Sequence, residues 1–393
     1  MAGSNAAAAR CHREAVSDVT FVAVTGSCGK STTVHLADRL LRGQLRGIAS
    51  APNANCGDPL IDNLLRVGTD DDYCLQELGA WGPGTLDIGL ELTRPTVGVV
   101  LNVRQDHLSA FGALAGTQAE KAKVVAALPP DGTAILGIDD DRVREMRALT
   151  RARVLTFGRA PDADLRARDV AAAWPDRLSF RLTYAGEDHY VQTALLGEQS
   201  LGSALAAIAI TITLGMRPEA AIAGLREIEP LPRRMSAVTL ADQVTFVRDD
   251  FKAPSDSMPE VLRFMAQARA LRKLAIFGRI SDHRGRSRRP YTEIAEAALT
   301  VVDDVIFVGQ RAQSLWRDED VPWTTHGSVE AAAHALDGHL HAGDLVLLKA
   351  CGPADHLERI LLARSGEVRC WLSDCGRVLA CDDCELLHAG ADR

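Results

Sequence analysis

Residues 21–33, FVAVTGSCGKSTT, constrain the fold more than any other part of this chain. An apolar run ends in a glycine turn, and Lys30, Ser31 and Thr32 then open a helical pattern. A buried strand feeding a helix through such a turn is the repeating unit of a parallel α/β sheet. It is also a way to cradle phosphate. Backbone N–H groups of the turn point at phosphate oxygens, and the positive end of the helix adds to the attraction. In this reading Gly26, Ser27 and Gly29 form the cradle. Lys30 reaches the β- and γ-phosphates, Ser31 holds Mg2+, and Thr32 stands beside it in the first turn. The loop is shorter than the usual one: Val24 occupies the first glycine position, and Gly26 stands only three residues before Gly29. ATP is the expected ligand.

The chain's 393 residues predict about two to three domains. A net charge of −8 argues against a general nucleic-acid binder, although a nucleotide needs only a local positive site. No apolar run approaches the ~18 residues of a membrane span. The most apolar stretch, residues 204–216, reads as a core helix. The N-terminus, MAGSNAAAARCHREAV, lacks the apolar centre of a signal peptide and reads as a loose leader over 1–18. A cytoplasmic location follows, with the nine cysteines mostly reduced.

From residue 19 to 130, short apolar runs alternate with helical stretches, which predicts parallel βαβ units. Strands are expected at 21–24, 73–78, 96–102 and 133–137, and helices at 31–42 and 118–128. Residues 163–196 alternate around a turn at 185–188 and predict an antiparallel excursion. Helices are expected at 200–215 and 217–225. Pro230 and Pro232 exclude a helix and mark a linker. A second α/β pattern follows, with strands at 244–247, 273–277, 304–308 and 344–348. The expected organisation is α/β throughout. A central P-loop-type parallel-sheet ATPase domain spans 19–230, a Rossmann-like domain 231–365, and a Cys-rich tail 366–393.

Ligands of open parallel sheets bind beyond the carboxyl ends of the strands. Glu77 ends the strand YCLQEL, where a carboxylate can reach phosphate-bound Mg2+. Asn102, Asp106 and His107 lie just past another buried strand, and Lys121 and Lys123 sit on the next helix. Taken singly, Glu77 also reads as a surface carboxylate, His107 as part of a helix cap beside Asp106, and either lysine as a solvated face. Their joint order points to one nucleotide site.

On these motifs, together with EKAK, ILGIDDDRV, LGEQSLGSALAAIAI, LPRRM, DDFKAPSDSM and GDLVLLKACGPADHLERI, the chain resembles the Mur ligase superfamily over roughly residues 19–362. The resemblance implies an ATP-dependent ligase. ATP phosphorylates a carboxylate, an amine attacks the acyl phosphate, and ADP and phosphate leave. It assigns Lys30 and Ser31 to phosphate and Mg2+, and Glu77 and His107 to metal. Lys121 or Lys123 takes the place of a carbamylated lysine, with the spacing favouring Lys121. Gln199, Ser200 and Ser203 fall where the family carries an adenine-contacting asparagine. Arg234 matches the arginine that reaches ATP from the linker, and Asp249, with Asp250 as the alternative, matches an acid near the ribose. Cys28 is a packing residue. With the P-loop so near the start, the layout is closest to the capsule and cyanophycin-type members, which makes a UDP-linked muramyl substrate less expected.

Two features lie outside these motifs. Cys370, Cys375, Cys381 and Cys384 read either as four thiolates around a structural Zn2+ or as reduced surface thiols. Arg284, Arg286, Arg288 and Arg289 read either as a solvated loop or as an anion site for an acidic substrate. The alternative function is a P-loop ATPase-like subunit that binds or activates a protein partner through the tail.

Overall fold

The computed structural model describes residues 2–105, 108–281, 288–316, 320–352, 355–373, 375–377 and 379–389. The chain divides into two compact units. One comprises Met1–Ala171, Arg177–Ala194 and Glu198–Glu229, the other Ala172–Asp176, Leu195–Gly197 and Pro230–Arg393.

The first unit is built on a nine-stranded sheet. Its strands are β1 (Thr20–Thr25), β2 (Gly47–Ala49), β3 (Tyr73–Glu77), β4 (Val97–Val100), β5 (Thr133–Gly137), β6 (Arg153–Gly158), β7 (Leu165–Ala171), β8 (Ser179–Tyr184) and β9 (Glu187–Gln192). Their order is β2-β3-β1-β4-β5-β6-β7-β8-β9. Pairing is parallel from β2 to β7, and β7, β8 and β9 form the antiparallel excursion. β1, β3 and β4 are buried on both faces, which is why they read as continuous apolar runs.

Register positions the site. Val24 pairs with Glu77, and Thr25 with Val100. The ends of β3, β1 and β4 therefore lie side by side, and the chain leaving each arrives at one edge of the sheet. The helix Lys30–Leu41 follows β1 directly. It packs against the helix Leu201–Thr213, whose first eleven residues are buried apart from Gly202.

The N-terminal segment differs from the expected loose leader. Residues Ala2–Ala15 form a helix. Arg13 is buried, donates to Thr93 O at 2.7 Å and Arg94 O at 3.1 Å, and lies 3.9 Å over the Phe21 ring. The alanine run favours helix locally. What secures it is a set of carbonyls some 80 residues further on, invisible in a local reading.

The second unit carries a six-stranded sheet ordered β10-β11-β15-β12-β13-β14. These strands are β10 (Ser236–Thr239), β11 (Thr245–Asp249), β12 (Arg272–Phe277), β13 (Asp304–Val308), β14 (Thr324–His326) and β15 (Asp344–Lys349). Only the β10–β11 pair is antiparallel. Phe277, Phe307, Tyr291 and Trp316 pack together on one side of this sheet. No described helix is long and apolar enough to cross a membrane.

Candidate active site

The loop after β1 is closely packed. Gly29 has φ +86° and precedes the helix Lys30–Leu41; a Cβ there would lie 2.7 Å from Ser203 Oγ. At Gly26, φ +154°, a Cβ would meet Leu101 Cβ at 2.9 Å. Both positions need glycine for backbone shape and for space. Asn102 clamps the loop from β4: its Oδ1 accepts from Cys28 N at 2.9 Å, its Nδ2 donates to Cys28 O at 3.2 Å, and its backbone O accepts from Ser27 N at 3.1 Å. Ser27 Oγ in turn accepts from Arg104 N at 2.9 Å. Asn102 thus shapes the cradle with the side-chain amide that sequence reasoning assigned to the nucleotide. Ser203 Oγ donates to Gly29 O at 3.2 Å and holds the loop from the other side.

Lys30 folds over this loop, its ammonium donating to Gly26 O at 2.7 Å and Ser27 O at 3.5 Å. Next to it, Ser31 Oγ donates to Glu77 Oε2 at 2.6 Å. Glu77 is buried and oriented on every side. Its Oε1 accepts from Asn55 Nδ2 at 2.9 Å, its Oε2 also from Asn53 N at 3.4 Å, and its N–H donates to Ser50 Oγ at 3.0 Å. Asn55 also lies against Gly79, where a Cβ would come within 2.6 Å of Asn55 Oδ1. Sequence reasoning missed Ser50, Asn53 and Asn55; the one available signal was the polar run 53–55 ahead of a buried carboxylate strand. An ammonium, a hydroxyl and a fixed carboxylate at a helix N-terminus form a hard, oxygen-rich donor set suited to a metal-bound polyphosphate.

Residues 24–211 match the model of the Mur ligase middle domain, and residues 233–352 match that of the Mur ligase, glutamate ligase domain. The chain belongs to the Mur ligases. It is similar to the UDP-N-acetylmuramoyl-tripeptide--D-alanyl-D-alanine ligase of Mycobacterium tuberculosis (strain ATCC 25618 / H37Rv), at 28% identity over 86% of this chain and 71% of that protein. The ligase of the same name from Escherichia coli (strain K12) is 28% identical over 75% of this chain and 65% of its own length. The crystal structure of MurF ligase from Thermotoga maritima in complex with ADP superposes with a TM-score of 0.81, at 22% identity over 92% of this chain and 82% of that one. As a Mur ligase the chain is an ATP-dependent enzyme that forms an amide bond. The named relatives are ligases and lend no support to the alternative of a partner-activating ATPase subunit.

Other expected site residues of this Mur ligase are placed as follows. His107 and Asp106 lie outside the described residues, as do Arg284 and Arg286. Lys121 is fully buried on the helix Leu114–Ala126. Lys123 pairs with Asp87 at 2.7 Å and Glu120 at 3.0 Å; these partners outweigh partial desolvation and raise its pKa. Gln199 Nε2 is buried with no hydrogen-bond partner among the described residues. Thr32 lies one position beyond Ser31 in the same first turn.

In the second unit, Arg234 stacks 4.1 Å over the Phe251 ring, and Asp249 pairs with Lys349 at 2.5 Å. Asp250 faces Arg248 at 3.4 Å and Arg233 at 3.5 Å. Burial pushes its carboxyl up, against the pull of the two arginines. Arg289 opens the helix Arg289–Leu299 and pairs with Glu293 at 2.7 Å, as a solvated residue does.

Among the described residues, no three of Cys370, Cys375, Cys381 and Cys384 gather their sulfurs. Cys370 is buried, and Cys384 Sγ receives Arg377 Nη1 at 3.8 Å. The imidazole of His356 stands between the other two, 3.4 Å from Cys381 Sγ and 3.6 Å from Cys375 Sγ.

Proposed function

We propose that this Mur ligase joins the carboxyl end of a peptide-bearing donor to the amine of an amino acid or short peptide. The printed names of its relatives, ligases that join a tripeptide-bearing precursor and a dipeptide, support the substrate class. The observation that carries the chemistry is Ser31 held on Glu77 beside Lys30 at the cradle.

The first step brings two anions together, so the charge on both must be screened. Lys30 exchanges its two loop carbonyls for phosphate oxygens, and the N-terminus of the helix Lys30–Leu41 adds its dipole. Ser31 and Glu77 fit Mg2+ because every donor atom they offer is a hard oxygen, and Glu77 is already oriented for one. When bound, Mg2+ neutralises charge on the transferring phosphoryl group. A carboxylate oxygen of the donor forms the new P–O bond as the bond to ADP breaks. The amine nitrogen then attacks the acyl carbon, the C–O bond to phosphate breaks, and the amine proton passes to solvent. Family order supports His107 as a further metal ligand, Lys121 as its partner, and Arg234 and Asp249 as nucleotide contacts. Gln199, whose amide nitrogen has no hydrogen-bond partner among the described residues, suits an adenine contact. A cytoplasmic location suits the demand for ATP.

Incubation with candidate donors and amines tests this reading. ADP and phosphate should appear only when both are present, and hydroxylamine in place of the amine should trap the acyl phosphate as a hydroxamate. Release of AMP would refute it.

A further inference from the structure

The C-terminal unit holds a buried donor cluster that the ligase chemistry does not use. His356 lies at the start of the segment leading into the helix Glu358–Ser365, with a left-handed backbone, φ +52°. That conformation is uncommon outside glycine and persists where surrounding structure requires it. Cys381 opens a short 3-10 turn in the tail. Ligating atoms of His356, Glu358 and Cys381 all lie within 4.8 Å of one another, and all three residues are at most 4% exposed.

The local hydrogen bonds prepare this cluster for a cation. Cys381 Sγ stands 3.4 Å from His356 Nδ1. A tetrahedral zinc with bonds of about 2.3 Å to sulfur and about 2.0–2.1 Å to nitrogen separates its ligands by roughly 3.5 Å, so the spacing fits. The other ring nitrogen, Nε2, faces Cys375 Sγ at 3.6 Å, a partner that orients the imidazole with Nδ1 toward the cluster. Glu358 Oε1 accepts from Cys381 N at 3.1 Å and lies 3.9 Å from Arg233 Nη2, while Oε2 has no hydrogen-bond partner among the described residues. A carboxylate oxygen so deeply buried calls for a cation or a donor. Arg359 Nε donates to Cys381 Sγ at 3.1 Å.

We infer that His356 Nδ1, Glu358 and Cys381 form a binding site for one Zn2+, with Cys375 positioning the imidazole. The mixed nitrogen, sulfur and oxygen set favours zinc over Mg2+ or Ca2+, which take oxygen ligands. Binding displaces the Cys381 thiol proton to solvent, and the thiolate and Glu358 carboxylate balance the ion's charge. The site ties the tail to the helix Glu358–Ser365, where Arg359 Nη1 already donates to Leu372 O at 2.8 Å.

The test is metal analysis of the full chain after dialysis with Zn2+. Wild type, Cys370→Ser and Cys384→Ser should each retain about one zinc per chain. Cys381→Ser and His356→Ala should lose more than about tenfold in affinity. Cobalt-substituted wild type, which needs no variant to fold, should show a near-ultraviolet charge-transfer band of single-thiolate intensity. A wild-type chain without zinc overturns the proposal. So does a four-thiolate cobalt spectrum, or loss of zinc from Cys370→Ser and Cys384→Ser to the same degree as from Cys381→Ser.

Discussion

Ser31 and Glu77 are 46 positions apart in the chain, yet the hydroxyl of one donates to the carboxylate of the other at 2.6 Å. The contact exists because β1 and β3 are parallel neighbours with Val24 opposite Glu77. It couples the first turn of the phosphate-binding helix to a carboxylate whose orientation is set by a third segment, through Asn55.

Asn55→Ala should therefore act on metal use. Removing an outer partner of a ligating carboxylate typically costs about 10–100-fold in metal affinity or activity. The expected result is a raised Mg2+ requirement for ADP release with little change in melting temperature. Titrating Mg2+ at saturating substrates measures it, and an unchanged Mg2+ dependence would show that Asn55 does not position Glu77.

Gly29→Ala should destabilise the fold and abolish nucleotide binding. The left-handed backbone costs a side chain about 1–2 kcal/mol, before the 2.7 Å approach to Ser203 Oγ is counted. At roughly 2–4 °C per kcal/mol for a domain of this size, the melting temperature should fall by several degrees. Adding Ser203→Ala should restore only the share due to the clash, since the backbone strain remains. Full recovery in the double variant would show that φ is not the constraint.

The two helix lysines should separate cleanly. Lys123 already has the exposed Asp87 as a partner, where such a pair contributes about 0–1 kcal/mol, and the buried Glu120 as a second. Lys123→Ala should keep turnover within a few-fold. Lys121→Ala should reduce it by more than about tenfold, a barrier change of at least about 1.4 kcal/mol. Steady-state kinetics of both variants decide the register, and the reverse ranking would assign the role to Lys123.

Acid should weaken the second unit through Asp344. Burial works against its charged form, but the Arg272 guanidinium and His341 N–H, at 2.7 and 2.8 Å, more than offset this and hold the carboxyl below its ordinary value. A depressed folded pKa gives stability that is fully present above the unfolded value, about 3.9, and is lost as pH falls through the folded one. Denaturant midpoints of wild type and Asp344→Asn should differ by a constant amount above about pH 5 and converge below pH 4. A gap that persists at low pH would mean that the ion pair is not its source.

Much of the fold is legible in the sequence because its signals are local. Strand-length apolar runs alternating with helical stretches announce a parallel sheet, and β5 and β13 fall where the pattern put them. The short strands β2 and β14 give no such signal, since three residues carry no period. The site divides along the same line. Lys30 and Ser31 belong to one continuous motif and could be named at once. Asn55 is an ordinary loop asparagine until the sheet brings it to Glu77, and His356 is an ordinary histidine until the tail returns to it.

By itself, then, the chain's order of residues determined the phosphate cradle, the α/β architecture and the kinship to ATP-dependent ligases, because each is written in consecutive residues or in their spacing. The fold alone decided which side chains meet. It put Asn102 on the Cys28 peptide, Lys123 between two carboxylates, Arg13 on distant carbonyls, and the His356 imidazole between Cys375 and Cys381. Apart from the local Lys123–Glu120 pair, those pairings depend on strand register and chain return over tens of residues, and no local pattern encodes such distances.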